Sequence, residues 1–341
     1  AGRPHSGEAP AACVRTGRSR TGETRVTSQR LPQSRRRASA VSSGARQRSP
    51  FYRERFAGLD SSSWREFPTV DKAAMMARFQ EFNTEGVGRE EALAVALRAE
   101  VERDFSPTLR GLTVGLSSGT SGHRGLFLVA PWEQAAWAGV VLARLLPPLQ
   151  LRGYRVAFFL RSNSNLYTRL RNRWIDFRYF DLMLPLPEAV AALNDLQPDL
   201  LAGPPSLLGF LAEAVERGEL RIRPERVVSF AEVLEPQDRE RIGRSFGVAV
   251  HEGYQCTGGL LAMSCRHGAL HVQEDLVAFQ TEALPGGEGE GRATPIVTDL
   301  WRRAQPIIRY RMNDVVTLDP RPCACGSGFR VLASIEGRSD D

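Results

Sequence analysis

Residues 199–251 read DLLAGPPSLLGFLAEAVERGELRIRPERVVSFAEVLEPQDRERIGRSFGVAVH, and this stretch decides the fold class. Residues 199–202 form a short apolar run closed by Gly203-Pro204, which predicts a buried strand. Ser206 reads as the cap of a helix that runs to about Arg217 and stops at Gly218. Residues 227–230 are again strand-like, 236–246 form a helix closed by Gly247, and 248–251 form the next strand. Alternation at this spacing needs right-handed crossovers. It yields an α/β fold, a largely parallel sheet with helices on its faces.

Working outward, 154–160 is a further buried strand, and 188–196 is a helix ended by Gln197-Pro198. Upstream, 88–103 places Leu93, Leu97 and Val101 at helical spacing, the pattern of an amphipathic helix. Two short strands, 112–116 and 126–129, flank a Gly/Ser-rich loop. Beyond about Gly268 the pattern changes to alternating apolar stretches: LHVQEDLVAF, TPIVTDL, DVVTLD and FRVLASI, separated by turns such as Pro285-Gly286-Gly287. These predict an appended antiparallel β subdomain or small barrel packed on the α/β body. The expected organisation is a disordered Arg/Ser-rich tail over 1–48, an α/β body over 49–268 and a β subdomain over 269–341.

The 341 residues suffice for two or three units with a sizeable core. The formal charge of +6 divides unevenly. The first fifty residues hold eleven arginines against Glu8 and Glu23, a net of +9, and the other 291 carry a net of −3. The folded part is thus mildly acidic, which argues against nucleic acid as a partner. The tail has too few large apolar side chains to offset the entropy of ordering it. A basic arm and a stretch outside the native coding sequence are the other readings of it. No apolar run reaches the roughly 18–20 residues of a membrane span and no signal peptide is visible, so no membrane and a cytoplasmic location are expected. The chain holds one lysine, Lys72, which lies far upstream of the motifs described next.

The strongest local signal is Leu116-Ser117-Ser118-Gly119-Thr120-Ser121-Gly122-His123-Arg124-Gly125. Interleaved glycines and hydroxyl residues let a backbone turn tightly and aim N–H and O–H groups at a polyphosphate. The strand on either side and the missing Gly-Lys-Ser/Thr distinguish it from the loop of P-loop NTPases. A plain Ser/Gly hairpin loop is the alternative for these residues taken alone.

This loop resembles the Ser-Ser-Gly-Thr-Thr-Gly phosphate loop of the adenylate-forming superfamily, the acyl-CoA ligases and their relatives. Four further stretches resemble that family's motifs in the same order. They are Ser229-Phe230-Ala231-Glu232-Val233-Leu234, Gly253-Tyr254-Gln255-Cys256-Thr257, Ile308-Arg309-Tyr310-Arg311-Met312-Asn313-Asp314 and Gly337-Arg338-Ser339-Asp340-Asp341. The Arg-Tyr-Arg form and the nearby Cys-x-Cys-Gly are similar to the branch of phenylacetate-CoA ligase and the deazaflavin-coenzyme synthetases. The resemblance covers roughly residues 50–341.

It implies ATP-dependent activation of a small-molecule carboxylic acid, with Mg2+ as cofactor and CoA as acceptor. Ser117, Ser118, Gly119, Thr120, Ser121 and Gly122 would hold the β- and γ-phosphates, with Thr120 and Thr257 the hydroxyls nearest the chemistry. Ala231 and Glu232 would lie along the adenine, with Tyr254 stacked on it. Asp314 would accept from the ribose hydroxyls, with Arg338 on the same sugar. A homodimer is compatible with this reading. Singly, Tyr254 also reads as a core aromatic, Asp314 as a turn carboxylate and Arg338 as a solvated charge.

Two departures from the family pattern stand out. Gly258 occupies the place of a magnesium-binding Glu, and His123-Arg124 that of Pro-Lys, where Arg124 can supply the charge. A nucleotide-binding but catalytically silent relative is therefore the rival reading. The chain ends at Asp341 within the hinge motif, so the smaller lysine-bearing domain is expected to be absent from it. The acid itself is not legible, although Trp132, Trp137, Tyr167, Trp174 and Phe177 are candidates for lining its pocket. Finally, Cys265, His267, Cys323 and Cys325 form two closely spaced ligand pairs that suit a tetrahedral zinc. Free, partly buried thiols are the other reading.

Overall fold

A computed structural model of the chain describes residues 30–104, 106–117, 124–147, 151–160, 173–256, 259–284 and 291–338. It begins with helix α1 (Arg30–Arg48), so the expectation of a disordered tail fails over these residues. Residues 1–29 lie outside the described ones. The expectation counted only large apolar side chains, whereas α1 buries small ones. Ala38, Ser42 and Ala45 follow one another at i, i+4 and i+7 and bring its backbone close to the body. Arg and Ala are good helix formers, and Pro32 is tolerated in a first turn. Ser34 donates to the Glu274 carbonyl and Ser39 to that of Ser61. The Arg37 guanidinium lies 4.4 Å from the centre of the Trp301 ring.

Short helices follow. Ser49 caps α2 (Pro50–Arg55), and Asp71 caps α3 (Lys72–Ala77), ahead of α4 (Phe79–Phe82). Phe51, Tyr52, Phe56, Trp64, Phe67 and Phe82 from this region join the same core as Tyr254, Val297 and Ile308. Helix α5 (Arg89–Glu102) lies where the sequence places it but buries the other face. Ala92, Ala96 and Ala99 are inside, while Leu97 is 45% and Val101 83% exposed. The small sheet formed by β1 (Thr108–Leu109), β2 (Leu112–Leu116) and β3 (Leu126–Val129) packs against α5. Alanines permit that close approach.

After α6 (Pro131–Leu145) come the parallel strands β4 (Tyr154–Leu160), β5 (Ile175–Asp181), β6 (Leu200–Gly203), β7 (Arg226–Phe230) and β8 (Val250–Cys256). They pair in the order β5-β4-β6-β7-β8. Between them run α7 (Leu186–Leu196), α8 (Pro205–Glu216) and α9 (Pro236–Phe246), the last closed by Gly247 in the left-handed conformation. Ser206 is not a cap, because α8 opens at Pro204-Pro205, whose fixed φ suits a first turn.

The antiparallel strands are β9 (Gly259–Ser264), β10 (Leu270–Val272), β11 (Val277–Ala283), β12 (Arg292–Asp299), β13 (Tyr310–Arg311), β14 (Asp314–Asp319) and β15 (Val331–Arg338). They do not form a separate layer. They extend the parallel sheet edge to edge, in the order β11-β12-β14-β15-β10-β9-β8, with β13 on β12. The reason is that β8 continues past His251 to Cys256 and returns as β9, so backbone hydrogen bonding is unbroken.

Buried polar side chains fix the segment that leads into residues 308–314. Gln305 accepts from Leu128 N–H and donates to the Leu126 carbonyl, which ties it to β3. Glu133, on the first turn of α6, accepts from the N–H groups of Arg303 and Ala304. Tyr52 donates to the Pro306 carbonyl and accepts from Ile308 N–H. With its backbone groups satisfied in this way, an irregular segment can lie inside the protein. No helix among the described residues is long and apolar enough to cross a membrane.

Candidate functional site

Three of the sequence motifs converge where β7 and β8 end and β14 begins. At the end of β7 the chain turns through Ala231, whose φ of +73° lies in the left-handed region that a Cβ disfavours. Ala231 and Glu232 are exposed there. Glu232 accepts from Ser206 N–H at 3.3 Å, which sets its carboxylate at the start of α8. One strand over, Tyr254 is only 8% exposed, and its hydroxyl donates to Asp314 Oδ2 at 2.6 Å. Asp314 is in turn the register partner of Arg338 on β15. Strand pairing thus brings Arg338 to Asp314, whereas Tyr254, 60 positions upstream on a strand that does not neighbour β14, reaches Asp314 through its side chain. Tyr254 is accordingly a core aromatic whose hydroxyl holds Asp314.

Ser118, Gly119, Thr120, Ser121, Gly122 and Thr257 lie outside the described residues. The base of the Gly/Ser loop is described. Ser117 N–H donates to the Gly125 carbonyl, and Gly125 N–H donates to Ser117 Oγ at 2.8 Å, so the two strands close beneath the loop. Arg124 is pinned there. Its Nε donates to the Ser117 carbonyl, and both terminal nitrogens pair with the Glu100 carboxylate. Its charge is therefore already met by a carboxylate on α5. The chain's one lysine lies close to Gly125 at the base of the loop. Lys72 stands at the start of α3, with its Cε 3.8 Å from where a Cβ at Gly125 would lie. No local signal links positions 53 residues apart, and only the packing of α3 against Gly125 does so.

Asp299, at the end of β12, belongs to no sequence motif but lies beside Gly259. It is buried, and its Oδ1 accepts from the N–H groups of Trp301 and Arg302. Its Oδ2 lies 3.3 Å from the Cβ position at Gly259, which has a φ of +110° that requires glycine. Burial pushes this carboxyl up to about 6, against the lowering pull of Arg302. A carboxyl group thus stands beside Gly259 at the start of β9.

On the other side of β7 and β8, a slot opens between α6 and the sheet. It is lined by Trp137, Phe158, Phe177, Phe230, Gly253 and Met263 among others, and its free volume is about 30 Å³. Of the pocket residues expected from the sequence, Trp137 and Phe177 line this slot. Trp132 is exposed beneath Arg303, Trp174 is exposed at the start of β5, and Tyr167 lies outside the described residues.

The cysteine cluster is real but has a different fourth member. Cys265, His271, Cys323 and Cys325 place their ligand atoms within 4.8 Å of one another, an arrangement that could hold a metal ion. His267 sits at the exposed tip of the turn after β9, where its Nε2 accepts from Arg266. That turn closes through Gly268 at φ +79° and lifts residues 266–268 away from the sheet. His271 lies on β10, opposite Met263, with its ring buried.

No family model matches the chain, and no curated protein matches it. Solved structures do share its fold. An open conformation of 2-hydroxyisobutyryl-CoA ligase in complex with 2-HIB-AMP and CoA aligns with a TM-score of 0.70 and 20% identity, over 95% of this chain and 79% of that one. The same ligase in its thioesterification state gives 0.69 and 19%, over 95% and 72%. In its postadenylation state with R3-HIB-AMP it gives 0.68 and 18%, over 98% and 72%. The chain therefore has the fold of adenylate-forming ligases.

Proposed function

Starting from that fold, we propose that the protein activates a carboxylic acid with ATP as an acyl-adenylate and then passes the acyl group to CoA, like the phenylacetate-CoA ligases. The observation that carries this reading is the 2.6 Å Tyr254–Asp314 hydrogen bond beside the strained turn at Ala231. Two separately recognised nucleotide motifs meet there at the C-terminal ends of parallel strands, the place where such sheets bind ligands.

In this reading Asp314 takes the ribose hydroxyls with Arg338, and Ala231 and Glu232 follow the adenine. Tyr254 holds Asp314 in place and lies beside the base. Residues 117–122, Thr120 included, cradle the β- and γ-phosphates, and Thr257 lies near the α-phosphate and the substrate carboxylate. A carboxylate oxygen attacks the α-phosphate in line, forming one P–O bond as the bond to pyrophosphate breaks. Both partners are anionic, so positioning and neutralisation supply most of the acceleration. Lys72 contributes positive charge from beneath the loop. Mg2+ commonly sits on one or two carboxylates plus substrate phosphates, and Asp299 beside Gly259 fits that donor set. When bound, the ion would draw charge from the phosphate oxygens. The acid's apolar part would enter the slot under α6. With about 30 Å³ free, entry requires the adaptable Met263 to move.

A catalytically silent nucleotide binder is the second reading, favoured by Gly258 and by the neutralisation of Arg124 by Glu100. Pyrophosphate release from the whole protein with a panel of monocarboxylic acids separates the two. Release that depends on one class of acid supports activation. ATP binding with no release under any acid would favour the silent relative.

A further inference from the structure

Three thiols and one imidazole, spread over 60 positions from Cys265 to Cys325, converge from the turn after β9, from β10 and from the β14–β15 connection. Cys265 Sγ lies 3.7 Å from Cys323 Sγ, and Cys325 Sγ lies 3.3 Å from His271 Nε2. Two sulfurs held at about 2.3 Å from a tetrahedral zinc stand about 3.8 Å apart, and a sulfur and an imidazole nitrogen about 3.5 Å apart. The observed separations match a single ion at the centre.

The surroundings are arranged for ligation as well. His271 Nδ1 is 3.0 Å from the Phe329 carbonyl oxygen, so the ring carries its proton there and turns a bare Nε2 toward the sulfurs. Cys325 N–H points at Cys323 Sγ at 3.5 Å, and Ser327 N–H at Cys325 Sγ at 3.4 Å. Such donors offset negative charge on thiolates. Gly326, at φ +77°, makes the tight turn that brings both cysteines of the pair to one side.

We infer that Cys265, His271, Cys323 and Cys325 form a closed, structural zinc site that fastens the β14–β15 connection to β9 and β10. Three soft sulfurs and one imidazole select zinc over magnesium or calcium, and four protein ligands leave no position for substrate. Its task is mechanical. β14 begins with Asp314, and the clamp holds the far end of β14 and the start of β15 against β10.

The test measures metal content by mass spectrometry on the whole protein, together with the visible spectrum after cobalt replacement. One zinc per chain and the intense bands of tetrahedral, thiolate-bound cobalt are expected. His267→Ala should keep the full equivalent of zinc, and His271→Ala or Cys323→Ser should lose most of it. Should those variants fail to fold, chelator titration of the unmodified protein decides the matter. Removing the metal should lower the melting temperature, and adding zinc back should restore it. Loss of zinc in His267→Ala, absence of zinc binding by the folded chelated protein, or an iron–sulfur chromophore would each overturn the assignment.

Discussion

Asp299→Asn isolates a charge that the fold holds at a disadvantage. In the unfolded chain this carboxyl has its ordinary value near 3.8, and in the fold it is pushed up to about 6. Two units at about 1.4 kcal/mol each amount to roughly 3 kcal/mol. The native state binds more protons than the unfolded state between those values, so this group's contribution to stability falls as pH rises through that window. Above about pH 6 the full penalty is present. Asparagine keeps an acceptor for Trp301 and Arg302 N–H but carries no charge. Urea denaturation of both proteins from pH 4 to pH 8 should show a small difference at the acid end. Asp299→Asn should become the more stable by up to about 3 kcal/mol near pH 7. His251 runs the opposite way, because burial and then Arg226 lower it to about 4. Its contribution is lost as pH falls from about 6.5 toward 4, and it cancels in the comparison. A difference that does not change with pH, or an asparagine variant less stable at pH 7, would mean that Asp299 carries no such penalty in the fold.

Lys72→Met should weaken ATP binding by about tenfold or more, the loss expected for a charged contact of 1.5–3 kcal/mol, while the melting temperature stays close to that of the unmodified protein. Unchanged affinity by calorimetry would remove Lys72 from the phosphate site. Tyr254→Phe deletes the donor to Asp314 and should raise the Kd for ATP about 10- to 100-fold on the same scale. A variant that loses stability but binds ATP normally would leave the hydroxyl a purely structural role.

The α/β body was legible because its punctuation is local. Pro198, Gly218 and Gly247 stop elements, and the helix 236–246 lies where the sequence places it. What sequence reasoning missed depends on distance through space. Helix α1 is held by small buried faces that apolar content does not score, and α5 buries alanines because the small sheet lies close. Sequence proximity paired His267 with Cys265. The turn at Gly268 instead exposes His267, and strand pairing brings in His271. Lys72 and Asp299 reach Gly125 and Gly259 by packing alone, and neither belongs to a motif. Tyr254, Asp314 and Arg338, by contrast, each sit in a stretch that the sequence singles out; strand pairing joins Asp314 with Arg338, and a side-chain hydrogen bond joins Tyr254 to Asp314.

The most direct test of the activation reading is isotope exchange between pyrophosphate and ATP, measured on the whole protein with and without acid, alongside Asp314→Asn. Exchange reports formation and reversal of the acyl-adenylate before any transfer to CoA. Exchange should require an apolar monocarboxylic acid and magnesium, and should fall by at least tenfold in Asp314→Asn, whose side chain loses a charged contact worth about 1.5–3 kcal/mol. Exchange that proceeds equally without acid, or that is undiminished in Asp314→Asn, would contradict that reading.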